Sequence, residues 1–166
     1  ERVAVTCPGE GYGAGDTLTV SFATTSGYGS GAAATAVLSE NTPGTFTKVG
    51  SGTWQVTQPN TFEGTVELKE GYLNLTDAGA LPEVSTLKLS GGVFQPFAGQ
   101  DDRVNPSATL ELAGALAPVY RSQTPAAGST STQQFARLSA KPGLATFDAA
   151  AGDGTAEILF GTYGRQ

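Results

Sequence analysis

The chain has 166 residues, enough for one domain with a narrow core, and a formal net charge of -6 with its nine Lys and Arg scattered. That excludes the clustered basic surface that nucleic acid or an anionic membrane requires. A single Cys excludes an internal disulfide framework, and no apolar run approaches the roughly 18 residues of a membrane-spanning helix.

With no Met at position 1 and no signal-peptide pattern, the chain reads as a processed product or an excerpt of a longer protein. Its acidic exterior, rich in Thr, Ser and Gln, suits a protein exposed outside the cell. Residues 1–44 form a Gly/Ala-rich N-terminal part. Cys7 is read as a thiol buried near a strand end, with pairing to another chain as the alternative. Gly27, Gly29 and Ala32 satisfy Gly-x-Gly-x-x-Ala behind an apparent strand, Leu18 to Ala23. A dinucleotide site also needs a long amphipathic helix and an acidic residue about 20 positions on. Asn41, Pro43 and Gly44 end the segment first, so the stretch is a glycine-rich loop and no cofactor is expected.

Residues 45–120 carry the regular pattern. Thr53-Trp54-Gln55-Val56, Thr65-Val66-Glu67-Leu68 and Tyr72-Leu73-Asn74-Leu75 alternate with period 2, placing the apolar members on one face of three strands and Gln55, Glu67 and Asn74 on the other. The second segment recurs as Thr86-Leu87-Lys88-Leu89, as Thr109-Leu110-Glu111-Leu112 and, loosely, as Thr155-Ala156-Glu157-Ile158; Thr17-Leu18-Thr19-Val20 is a candidate earlier copy. Trp54 to Val56, Leu73 to Leu75, Val93-Phe94 and Leu116-Ala117 form a second column offset by half a coil. A period of roughly 20–23 residues predicts a solenoid.

Stacking at about 4.8 Å per coil predicts an all-β, right-handed parallel β-helix of about seven coils. Val66, Leu87 and Leu110 then form one interior ladder, and Leu68, Leu89, Leu112 and Ile158 another. Outside, Glu67, Lys88 and Glu111 alternate in sign, each pair worth about 0.2 to 1 kcal/mol. The alternative is a β-sandwich, whose strands also recur at short intervals. Glycines at 50, 52, 64 and 71 stand where strands must turn, and Asn60 follows Pro59 at another corner.

Lys48-Val49-Gly50-Ser51-Gly52-Thr53, then Asn60-Thr61-Phe62-Glu63-Gly64-Thr65, then Gly71-Tyr72-Leu73-Asn74-Leu75 resembles the autotransporter passenger-associated strand repeat of bacterial cell-surface proteins. The resemblance covers about 30 residues. It implies a right-handed β-helical passenger that is exported and displayed at, or released from, the bacterial surface.

Asp101 and Asp102 are the one adjacent acidic pair. Paired carboxylates could hold Ca²⁺ or serve as acid and base. Beside Asn105-Pro106 and without further carboxylates one coil away, the pair is read as a solvated turn, as are Asp148 and Asp153. Residues 121–134 (RSQTPAAGSTSTQQ) read as a polar loop insertion, and 135–166 as C-terminal coils. No catalytic, cofactor-binding or metal-ligating residue is assigned. A solenoid exposes unpaired strand edges at its ends, so the expected partners are copies of the chain or adjacent segments of a parent protein, with a host or matrix surface as a further candidate. The expected role is a non-enzymatic extracellular structural or adhesive module of a bacterial surface protein, self-association into a fibre included. A polysaccharide lyase or hydrolase on the same scaffold is the alternative.

Overall fold

The computed structural model describes residues 43–150 and 152–165, which lie within one compact unit, Pro43–Gln166. The Thr17–Val20 copy, Cys7 and the Gly27–Ala32 loop fall outside the described residues. Eleven strands follow in order: β1 (Gly44–Lys48), β2 (Thr53–Val56), β3 (Gly64–Leu68), β4 (Tyr72–Leu75), β5 (Val84–Leu89), β6 (Val93–Pro96), β7 (Thr109–Leu112), β8 (Val119–Gln123), β9 (Thr130–Ala140), β10 (Thr146–Ala150) and β11 (Thr155–Arg165). Odd-numbered strands form a six-stranded sheet, β1-β3-β5-β7-β9-β11; even-numbered strands form a five-stranded sheet, β2-β4-β6-β8-β10.

Every pairing between these strands is parallel, which makes the molecule a parallel β-helix and rules out the sandwich. The six- and five-stranded sheets amount to about five coils rather than seven among the described residues. One reason is that the later coils are longer than the 23-residue spacing assumed from the sequence.

The interior ladder is in register. Phe46 stacks on Val66, Val66 on Leu87, Leu87 on Leu110, Leu110 on Leu138 and Leu138 on Tyr163. Beside it, Leu68, Leu89 and Leu112 are followed by Ala140 and Arg165. Val66, Leu68, Leu87, Leu89 and Leu110 are wholly or almost wholly buried, each contributing on the order of 1.5–3 kcal/mol through burial. Ile158 is not in this ladder; it stacks on Gln133. The Thr155 segment echoes the repeat in wording only, because β11 starts well before its own equivalent of Thr65.

On the second sheet, Trp54, Leu73, Phe94, Tyr120 and Phe147 form the inward column. Its fourth rung is therefore Val119-Tyr120, not Leu116-Ala117. Gly114–Leu116 makes a 3₁₀ turn ending in left-handed Ala117, and Leu116 is left exposed. The corner before this sheet is fixed by glycine. Gly71 and Gly92 both have positive φ (72° and 67°), and a Cβ would lie 2.3 Å from the Gly52 carbonyl oxygen in the first case and 2.6 Å from that of Gly71 in the second. No side chain fits between the coils there.

The expected insertion over 121–134 is also corrected. Strand structure runs through most of it, in β8 and β9, leaving only 124–129 as a connection, with a turn closed by Ser129 N–H to Ala126 O. A strand added to a parallel stack takes its backbone partners from the previous coil, so polar side chains suffice once Tyr120 and Phe135 anchor the inside.

Candidate functional site

A third face runs between the even and odd strands. Backbone pairing here is reduced to isolated bridges, Pro59 with Ala80 and Leu81 with Val104, before β9 and β11 bend round the corner and widen it. Leu81 and Val104 are fully buried, and the next coil places Gln133 at this level, with Ile158 stacked on it. The Gln133 amide replaces strand pairing: its Nε2 donates to Val104 O at 2.9 Å and its Oε1 accepts from Val104 N–H at 2.9 Å.

Asp101 and Asp102 serve the same edge. Asp101 Oδ1 accepts from Thr132 N–H and Asp102 Oδ1 from Gln134 N–H, both at 2.7 Å, while Asp102 N–H donates to Thr132 O. Asp102 adopts φ 47°, the left-handed conformation Asp tolerates better than most residues. The pair is exposed, yet it is a splint for β9 rather than an idle turn. Arg103 beside it is only 3% exposed. Its guanidinium donates to the carbonyls of Phe97 (2.6 Å), Gly79 (2.7 Å), Asp77 (3.0 Å) and Ala98 (3.4 Å), tying two successive coils together. Burial lowers its pKa and the charge of Asp77 opposes that shift.

Sequence reading missed Arg103 and Gln133. Arg103 follows two carboxylates and looks solvated; Gln133 lies in a low-complexity run. The available signal was the column Leu81, Val104, Gln133, visible only with uneven coil lengths.

On the outer face of the six-stranded sheet the expected charge ladder is present and longer than anticipated. Glu67 meets Lys88 at 3.0 Å and Lys69 at 3.5 Å; Glu111 meets Lys88 at 3.9 Å and Lys141 at 2.9 Å. Burial raises the pKa of Glu67, but hydrogen bonds from Lys88 and Ser90 and the charges of Lys88 and Lys69 outweigh it, leaving the carboxyl below its usual value. Asp148 is likewise not in a solvated turn; it lies on β10 and pairs with Arg121 at 2.8 Å. Among the described residues no group of three or more His, Cys, Asp or Glu is placed to hold a metal ion.

The last described coil is one end of the described stack. Phe147, Ile158 and Phe160 belong to the inward columns, but beyond them lies an open concavity of about 340 Å³. Phe147, Leu159 and Tyr163 are 45%, 48% and 66% exposed. Within the described residues, β10 and β11 are each bonded along one edge only. An eleven-residue parallel strand with one free edge can accept another extended strand.

No protein-family model, curated protein or solved structure matches this chain.

Proposed function

We propose that the chain is a non-enzymatic structural or adhesive module of a bacterial surface protein, a rod whose open coil is continued by a further parallel strand. The strand comes from a second copy, giving end-to-end fibres, or from an adjoining stretch of a longer protein. The observation that carries this reading is the last coil, where inward-column aromatics are left exposed beside an edge of β11 that is unpaired among the described residues. Unfilled, such an end is an association hazard; filled, it buries Phe147 and Tyr163 and satisfies the edge amides. The likeness of 48–75 to the passenger strand repeat supports the extracellular, cell-surface setting.

Light scattering and electron microscopy of the purified chain test it. Self-association predicts fibres or stacked particles in the wild type, dispersed to single rods by the double substitution Leu159→Lys with Tyr163→Lys, with the β circular-dichroism spectrum retained. A wild type that stays monomeric at every concentration removes self-association and leaves the adjoining stretch as occupant. Release of unsaturated or reducing ends from acidic polysaccharide, abolished by Asp101→Ala with Asp102→Ala, would overturn the non-enzymatic reading.

A further inference from the structure

Where the second sheet meets the third face, the interior is polar. Tyr120 belongs to the inward column between Phe94 and Phe147, edge-on to Phe94 at 5.2 Å and to Phe135 at 6.2 Å. Its side chain is fully buried, and its hydroxyl has no hydrogen-bond partner among the described residues. A buried hydroxyl without a partner costs about 1–3 kcal/mol. The hydroxyl belongs to a residue lining a cavity of about 20 Å³ whose wall also includes Arg103, Ser122, Thr132 and Gln133.

Two of these neighbours have hydrogen-bonding capacity to spare. The four bonds of Arg103 use Nε, one hydrogen of Nη1 and both of Nη2, which leaves one Nη1 hydrogen. Gln133 Oε1 accepts from Val104 N–H alone, which leaves a lone pair. A water site needs room of about 10–15 Å³ and two to four polar partners. The cavity has room for one molecule, its wall carries polar residues, and it is too small for a sugar, nucleotide or other organic ligand.

We propose that this cavity is a binding site for a single structural water that bonds Tyr120 Oη and joins two successive coils through Arg103, Tyr120 and Gln133. Arg103 precedes β7 and lies one coil before Gln133 on β9, with Tyr120 on β8 between them along the chain. The water completes the bonding on the third face, where strand pairing is sparse. Uncharged water suits the site better than an anion, because Asp102 and Glu157 stand close by and repel negative charge.

A crystal structure of the full chain at about 1.5 Å, paired with water relaxation dispersion in solution, tests the site. The expected result is one fully occupied water within hydrogen-bond distance of Tyr120 Oη and one long-residence water by relaxation, both lost in Tyr120→Phe. Thermal melting gives an independent sign. If the hydroxyl is bridged, Tyr120→Phe lowers Tm by several degrees; if the cavity is dry, removing an unpartnered hydroxyl raises Tm or leaves it unchanged. No density at Tyr120 Oη in the wild type overturns the proposal whatever the variant does. Density that is replaced by anomalous bromide signal overturns it too, assigning the site to a halide.

Discussion

The six-stranded sheet and the third face wrap the same core by opposite means. On the sheet, β3, β5 and β7 each carry Thr-apolar-charged-apolar, the backbone ladder runs through all four positions, and side chains need only match the neighbour above and below. On the third face the ladder dwindles to single bridges. There Arg103, Gln133, Asp101 and Asp102 bond main-chain groups directly, doing with side chains what the sheet does with backbone. Repetition is needed only where stacking is uniform. Where each coil is held by its own bond, the residues differ from coil to coil, and removing one leaves main-chain groups with nowhere else to bond.

Four changes break or sharpen that contrast. The largest effect belongs to the sheet interior: Leu87→Asp or Leu110→Asp forces an unpaired charge into the ladder and costs more than about 5 kcal/mol, so circular dichroism should show no cooperative melting transition. Next, Arg103→Met orphans four carbonyl groups while keeping the apolar stem. A loss of about 3–4 kcal/mol is expected by urea denaturation, and near-wild-type stability would mean water replaces the guanidinium without penalty. Asp101→Ala with Asp102→Ala should cost about 1–2 kcal/mol together, with faster hydrogen exchange confined to the Thr132 and Gln134 amides.

The smallest effect lies on the charge ladder. Lys88→Ala should cost under about 1 kcal/mol, less at high salt, because the pairs are partly exposed. Its pH signature is specific. A folded-state pKa held below the ordinary 4.5 makes Glu67 stabilising above that value, and the contribution fades as pH falls through the lower folded-state value. Acid titration of stability should therefore be shallower in Lys88→Ala than in the wild type below about pH 4.5.

The sheet was legible in the sequence because its side chains obey one rule three times over: period 2 marked the faces, and the recurring Thr65, Thr86 and Thr109 set the register. The charge ladder followed from the same alignment. Legibility failed where the rule changes. Leu116-Ala117 matched the apolar wording of its column, but the extra residues of a 3₁₀ turn carried the true rung on to Val119-Tyr120. Residues 121–134 lack the apolar alternation that marks an isolated strand, and strand formation there depends on a template edge that composition does not reveal. Arg103 and Gln133 were invisible for a related reason: a buried polar residue declares itself only through its partners, which lie 24 and 29 positions away. The open coil was anticipated as an edge, while the aromatic lining of its mouth came only with the fold.

The parallel register has a kinetic corollary. Gly44 meets Gly64, Thr65 meets Thr86, Thr86 meets Thr109 and Thr109 meets Arg137, so each rung closes a loop of between 20 and 28 residues on a surface that already exists. Loop-closure entropy is then nearly the same at every step and does not grow with the number of coils. A chain of this kind can be built vectorially, each arriving segment annealing to the last, and under tension it should peel from an end one turn at a time rather than burst as a whole.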